Sequence, residues 1–291
     1  MFTGSIVAIV TPMQANGDID YKKFETLVDW HLDNDTDGFV VLGTTGECPT
    51  IEADERVKIT RQIVDQVNGR VPVIVGTGTN STRHSLELTE QAMELGADAA
   101  LLVTPYYNKP TQEGLYQHFK TIAEAVPIPQ ILYNVPSRTA CDLLPETVLR
   151  LTKFSNIVGV KEATGDIERV KILSQANNEL DLLSGDDKTA MEFMLNGGKG
   201  VISVVANVVP KEFHQLCVAA IAKKRDVAQQ LDRQLEALHT SLFVEGSPIP
   251  TKWALTQMKM IAEGIRLPLT VLNEKYHEQV RQAMRQAGLK I

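Results

Sequence analysis

Cysteine, basic charge and long apolar runs are all in short supply in this chain, and each shortage removes a class of protein. The three cysteines, Cys48, Cys141 and Cys217, are an odd count without CxxC spacing. Neither a disulfide framework nor a thiolate zinc site is therefore indicated, and a reducing cytoplasmic compartment is expected. Lys and Arg number 29 against 36 Asp and Glu, a formal net charge of −7, with no basic run. Nucleic acid, which basic stripes attract, is not an expected partner. No apolar run reaches membrane-spanning length, and Met1 to Pro12 lacks a basic leader and is broken by Pro12, so neither a membrane partner nor a signal peptide is expected. The six histidines are scattered without an HExxH pair, so no metal site is indicated. Gly76-Thr77-Gly78 supplies only the first two glycines of a dinucleotide fingerprint, with no acidic residue at the expected later strand end.

What is present is a repeated alternation. Short apolar runs begin near Ser5, Phe39, Pro72, Ala100, Gln130, Ile157, Leu180 and Gly200, each followed by a turn and an amphipathic segment. Phe24, Leu27, Val28, His31 and Leu32 form one such helical face, and Leu115, Phe119, Ile122 and Val126 another. Asp20, Ser81 and Asp166 are placed as N-caps, and Pro145 suits a first helical turn. Eight strand and helix units predict an α/β fold in which a parallel sheet closes into a (β/α)8 TIM barrel, in preference to a doubly wound open sheet. The 291 residues exceed the about 250 of such a barrel and fall short of two average domains. After Lys223 the strand signal stops, and helices are expected near 225–241, 250–263 and 273–288. The expected division is a barrel over residues 1–223 and a small three-helix domain over 224–291. Asn196 to Gly200 precedes a strand, so its glycines read as a helix C-cap at the bottom of the barrel.

The chemistry concentrates where strands end. Ile157-Val158-Gly159-Val160-Lys161 reads as a buried parallel strand with a lysine at its C-terminal tip, the end at which barrels carry their sites. Alternation puts Gly159 and Lys161 on one face, with room left by the glycine, and Val158, Val160 and Glu162 on the other. A lysine in an apolar pocket loses solvation of its charged form, its pKa falls from about 10.4, and the free amine can attack a carbonyl to form a Schiff base. A strand-end lysine by itself more often simply reaches water. Other strand ends, however, bring Gly43-Thr44-Thr45-Gly46-Glu47, Thr104-Pro105-Tyr106-Tyr107-Asn108 and Tyr133-Asn134-Val135-Pro136-Ser137-Arg138 to the same rim. Hydroxyls, phenols, a guanidinium and an amine thus converge on one face.

These stretches, with Gly159 to Asp166, Leu182 to Asp187 and Pro248 to Leu255, resemble the motifs of the dihydrodipicolinate synthases over essentially the whole chain. That family lies within the class I aldolase superfamily that also contains N-acetylneuraminate lyase. The resemblance implies a lyase that condenses pyruvate with L-aspartate-4-semialdehyde to 4-hydroxy-tetrahydrodipicolinate, in diaminopimelate and L-lysine biosynthesis. It implies no metal and no cofactor beyond the covalent imine, and a homotetramer built as a dimer of dimers. Lys161 matches the Schiff-base lysine, Tyr133 the proton shuttle, and Thr44 and Tyr107 the rest of its relay, with Tyr107 reaching into a neighbouring subunit's site. Thr45 and the backbone near Ile202 match groups that hold pyruvate. Arg138 matches the guanidinium that receives the aldehyde's carboxylate.

Two other functions compete. Another pyruvate-dependent class I aldolase, a neuraminate lyase or keto-deoxy-sugar aldolase, would share the lysine and tyrosine, but Arg138 suits a short acidic aldehyde better than a polyol. A silent binding barrel would be expected to lose Lys161 or Tyr133, and both are present. The resemblance also implies a separate pocket for inhibitory L-lysine, matched here only in part. Asn80 and Tyr106 are kept, while His84 and Arg56 stand where lysine-sensitive relatives carry glutamate and histidine. Weak or absent inhibition by lysine is the expectation.

Overall fold

The strands expected from the alternation all form. In the computed structural model, which describes residues 1–177 and 179–291, they are β1 (Gly4–Ala8), β2 (Gly38–Val41), β3 (Val73–Gly76), β4 (Ala99–Val103), β5 (Gln130–Asn134), β6 (Ile157–Glu162), β7 (Asp181–Ser184) and β8 (Gly200–Ser203). Each pairs in parallel with the next, and β8 closes on β1, with Ile6 opposite Ile202. The helices are α1 (Tyr21–Leu32), α2 (Ala53–Val67), α3 (Thr82–Glu94), α4 (Gln112–Ala125), α5 (Pro136–Thr139), α6 (Pro145–Leu151), α7 (Ile167–Ala176), α8 (Ala190–Leu195), α9 (Pro210–Ile221), α10 (Arg225–Ser241), α11 (Ile249–Gln257) and α12 (His277–Gln286).

Side-chain alternation builds two apolar layers from each strand. Ile6, Val40, Ile74, Leu101, Ile131, Leu183 and Ile202 fill the barrel interior, and Phe2 closes its lower end. The Met1 ammonium lies 3.0 Å from Asp181, and the Phe2 N–H donates to the same carboxylate at 2.7 Å. Val7, Phe39, Val41 and Val201 face outward into a second core shared with the helices, and that core continues without interruption to Leu238, Trp253 and Met284 of the C-terminal helices. The expected caps are in place. Asp20 accepts from the Lys23 N–H at 3.0 Å, Ser81 from His84 at 3.3 Å and Asp166 from Glu168 at 3.0 Å, while Pro145 opens α6. The three polar caps each satisfy an orphan donor and contribute about 0.5–2 kcal/mol.

Three expectations need correcting. The helix expected over 250–263 ends at Gln257. There the Lys259 N–H donates to Thr256 and the Met260 N–H to Leu255, closing the turn around Lys259 at φ +60. This is the Schellman pattern made with lysine in the position glycine usually takes, so no stop was visible in the sequence. The segment expected as one helix over 273–288 is a 3-10 turn, Glu274–Tyr276, followed by α12. The third correction concerns β6. Ile157 pairs with Gln130 and Gly159 with Ile131, so two β6 residues oppose one β5 residue in a bulge. Val158, expected to face outward, packs instead against the interior cluster, while Val160 faces outward as expected.

Two histidines buried among the helices set an acid limit on the fold. His31 of α1 is fully buried, with Nδ1 3.0 Å from the Thr36 hydroxyl, and burial pulls its pKa down to about 3. His118 of α4 lies 2.9 Å from the Thr82 hydroxyl, and burial lowers its pKa to about 4. The unfolded chain binds these protons near pH 6.5 and the folded chain does not, so stability is full above that pH and falls as the pH drops, by about 1.4 kcal/mol per unit for each histidine. Urea unfolding between pH 7 and pH 5 should show this slope in the wild type and about one proton's worth less in His31→Gln. Equal slopes would contradict it.

Candidate active site

The bulge in β6 sets where its last residues point. Beyond it Lys161 pairs in register with Tyr133 of β5, and both side chains turn into the barrel at its C-terminal end. Lys161 is 6% exposed, and its Nζ lies 4.2 Å from the centre of the Tyr133 ring. Above them opens a cavity of about 200 Å³ lined by Thr44, Thr45, Tyr133, Arg138, Lys161 and Gly185, among others. Burial lowers the Lys161 pKa to about 7; the Asp187 carboxylate works against the shift and the Arg138 charge adds to it. Near neutral pH roughly half of the amine is therefore uncharged and nucleophilic. Burial pushes the Tyr133 phenol up, and the Arg138 charge and the Thr44 hydroxyl offset part of that.

The carboxylate next to Lys161 does not neutralise it. Glu162 faces the opposite side of β6, accepts from the Thr164 N–H at 2.8 Å and the Asn134 amide at 3.2 Å, and lies 3.5 Å from Arg169. Arg169 in turn holds Asp142 at 2.6 Å. The acidic side chain adjacent to Lys161 in sequence is thus engaged behind the strand, and Asp187 is the carboxylate that acts on the amine.

Glycine provides the room for Lys161, though not at the residue expected. A Cβ on Gly159 would lie 2.7 Å from the backbone oxygen of Asp181, so that glycine serves the approach of β6 to β7. It is Gly185, just after β7, whose Cβ would come within 2.9 Å of Lys161 Cε and 2.7 Å of Ala163 Cβ. Gly185 lies inside the Leu182 to Asp187 motif, which was legible, but its contact with Lys161 was not.

The turn that carries Thr44 and Thr45 is held from outside the barrel. Leu42 and Glu47 bracket it in left-handed conformations at φ +56 and +57, and the Glu47 N–H donates to the Thr44 carbonyl at 3.1 Å. Glu47 is 2% exposed, and its carboxylate takes Lys252 Nζ at 2.5 Å and the Arg266 N–H at 3.2 Å. Removing one partner of such a buried pair costs about 3–5 kcal/mol, because the other charge is left buried and unpaired. The stretch from Pro248 to Leu255 therefore acts on the site through Lys252. The segment just before it brings Ser247 to the cavity wall, where the buried hydroxyl has no protein partner, and Phe243 to the same lining. Sequence reasoning did not single out Ser247, Phe243 or Asp187.

The remaining expected residues divide. Arg138, on α5, is exposed and lines the cavity, and Thr45 is buried within its wall. Ile202 is buried in the barrel interior below, and the lining residue from that part of the chain is Val204. Tyr107 does not line this cavity. It is 88% exposed, at φ +75, in a three-residue turn closed by the Asn108 N–H on the Tyr106 carbonyl at 2.9 Å. A bulky residue in that conformation is strained.

Known proteins resemble this chain over its whole length. The sequence profile described as the dihydrodipicolinate synthetase family matches residues 1–287. A 4-hydroxy-tetrahydrodipicolinate synthase of Coxiella burnetii is 69% identical over 290 residues, covering 100% of both chains. The dihydrodipicolinate synthase of Acinetobacter baumannii, solved in complex with pyruvate, superposes with a TM-score of 0.98 at 53% identity over 100% of each chain. A structure described as the first monomeric dihydrodipicolinate synthase variant superposes with a TM-score of 0.97 at 44% identity, covering 99% of this chain and 98% of that one.

The two glycines should respond differently to a methyl group. Gly159→Ala meets the Asp181 backbone and should lower the unfolding midpoint in urea without crowding the amine. Gly185→Ala meets the Cβ of Ala163 and the Lys161 side chain, so besides lowering the midpoint it should slow imine formation between the buried amine and a small carbonyl compound by about tenfold or more, since small misplacements of a reacting group are costly. Unaltered imine formation in a folded Gly185→Ala protein would contradict the role given to that glycine.

Proposed function

The chain belongs to the dihydrodipicolinate synthetase family, and on that premise we propose how its residues divide the chemistry. It is a lyase that condenses pyruvate with L-aspartate-4-semialdehyde to 4-hydroxy-tetrahydrodipicolinate, in diaminopimelate and L-lysine biosynthesis. The observation that carries the residue-level reading is the buried Lys161 amine, with its pKa near 7, at the floor of a cavity at the C-terminal end of the barrel.

The neutral amine of Lys161 attacks C2 of pyruvate, and the carbonyl oxygen takes up a proton to give a carbinolamine. A second proton lets that oxygen leave as water, and the C=N bond forms. Loss of a proton from C3 then gives an enamine, whose C3 attacks the aldehyde carbon of the second substrate. Tyr133 carries protons to and from the departing oxygen. Its raised pKa makes the phenol a poor acid by itself, so the Thr44 hydroxyl and a further phenol, Tyr107, connect it to solvent. Thr45 and backbone near Ile202 hold the pyruvate carboxylate, and Arg138 takes the carboxylate of the aldehyde as a charge-assisted pair. The chain uses no external cofactor, because the imine itself is the electron sink. A cavity of about 200 Å³ with a guanidinium at its wall suits a short acidic aldehyde better than the long polyol of a sugar-acid aldolase.

Assembly follows from Tyr107. Its exposure and its strained turn outside its own cavity support a phenol offered to a neighbouring subunit, within a dimer of dimers. No helix among the described residues is long and apolar enough to cross a membrane, and a cytoplasmic location fits the free cysteines.

Borohydride added with pyruvate should attach one reduced pyruvate per chain, visible in the intact mass. Lys161→Ala should lose the adduct while folding normally, and Tyr133→Phe should form it about 10²–10⁴ times more slowly. An unchanged mass in the wild type would remove the mechanism. Mixing Tyr107→Phe with Lys161→Ala subunits should restore activity, since a hybrid pair keeps one intact site. Proven subunit exchange without recovery would count against the shared site.

A further inference from the structure

The imine chemistry asks two opposite things of one nitrogen. Lys161 must be neutral to attack, and the burial that makes it so also penalises the protonated imine that follows, which carries a full positive charge in the same water-poor place. One buried carboxylate is set to offset that penalty. Asp187 opens the short 3-10 turn Asp187–Thr189 after β7 and is 2% exposed. Gly185, two residues earlier, is the residue packed against the Lys161 side chain. The Val204 and Val205 N–H groups donate to Asp187 Oδ2 at 2.9 and 3.2 Å, which joins this turn to the turn Val205–Asn207 after β8. Burial pushes the Asp187 carboxyl up, and the Ser203 hydroxyl, the His239 ring and the two N–H groups hold its charge against that. The Ser203 oxygen already accepts from the Ala206 N–H at 2.9 Å, so its proton is free for the carboxylate. His239, from α10, is itself 3.2 Å from Asp232, and the buried thiol of Cys217 faces Asp187 from α9. The neighbouring Asp186 is taken up by Thr189, whose N–H and hydroxyl both donate to its Oδ2.

We propose that Asp187 is the counter-charge for the imine nitrogen, a positioning residue that acts through its charge and never takes the proton. The proposal rests on Lys161 being the imine-forming amine. When the amine has attacked C2 of pyruvate and water has left, the nitrogen keeps a proton and is cationic. Loss of a C3 proton returns an electron pair to nitrogen as a neutral enamine, and attack of C3 on the aldehyde restores the cation. A fixed anion stabilises each cationic state and leaves the neutral ones nearly untouched. A carboxylate in direct contact with the amine would defeat the purpose, because it would keep Lys161 protonated. Asp187 instead spends its hydrogen bonds on the backbone after β8, and it offsets only part of what burial and the Arg138 charge do to the amine. The face of the Tyr133 ring, 4.2 Å from Nζ, favours the cation in the same sense.

Asp187→Asn separates charge from shape, because the amide oxygen can accept from Val204 and Val205 while the amide nitrogen donates to the Ser203 oxygen. In the folded variant the Lys161 titration midpoint, read by competitive acylation with trace acetic anhydride, should fall below the wild-type value of about 7. A purely structural role would move it the other way, since a loosened turn admits water and restores the ordinary lysine range. At pH 9, where the amine is uncharged in both proteins, the pyruvate concentration that gives half-maximal borohydride adduct should rise about tenfold or more, the scale of one charge interaction in a partly desolvated site. Should Asp187→Asn not fold, Asp187→Ser, which keeps one acceptor on a smaller side chain, carries the same two readings. An unchanged or raised midpoint, or a wild-type pyruvate requirement in the variant, would overturn the proposal. No adduct in the wild type would instead remove the imine reading itself, and the proposal with it.

Discussion

The exclusion of water from one amine is the constraint on which the site depends. Lys161 can be a nucleophile near neutral pH only while the barrel withholds solvent from its charged form, and that requires a closed apolar interior directly beneath it. Parallel strands buried on both faces supply this, because the layer of Ile131, Leu183 and Ile202 that stabilises the barrel is also the low-dielectric floor of the cavity. The bulge in β6 brings Lys161 into register with Tyr133 on that floor. Arg169 and Asn134 then occupy the one carboxylate, Glu162, that stands beside the lysine in sequence. Fold stability and reactivity are here two readings of the same burial.

The C-terminal helices enter this arrangement through a buried charge pair rather than by surrounding the cavity. Lys252 and the backbone of Arg266 converge on Glu47, at the end of the turn that presents Thr44 and Thr45. A turn bracketed by two left-handed non-glycine residues is under strain, and a buried ion pair at one end is a means of keeping it in a single conformation. Residues after Lys223 are thus part of the site's support, in keeping with an apolar core that runs unbroken from Val7 to Met284.

Much of this was legible in the sequence, for identifiable reasons. Continuous apolar runs mark strands buried on both faces, so all eight were visible, and polar caps such as Asp20 and Ser81 mark helix starts through local chemistry alone. The lysine, tyrosine, threonine and arginine of the site were visible because they end those runs. What escaped notice depended on contacts between distant parts of the chain. The pairing of Glu47 with Lys252 spans 205 residues, and the contact of Gly185 with Lys161 crosses between strands. Val158 was misplaced because a bulge resets alternation without leaving a sequence mark, and α11 was drawn too long because Lys259 does what glycine usually does. Arg56 was singled out only through the resemblance, and nothing in its own helix pattern marked the burial that puts it on a cavity wall.

The central claim is that burial keeps roughly half of the Lys161 amine uncharged near neutral pH, and its titration tests that directly. Competitive acylation of the native protein with trace acetic anhydride from pH 5 to 11, followed by peptide mass spectrometry, reads the ionisation of each lysine separately. Lys161 should titrate with a midpoint near 7, while exposed lysines such as Lys58 titrate close to or above the ordinary value of about 10.4. A Lys161 midpoint within the range of the exposed lysines would contradict the account.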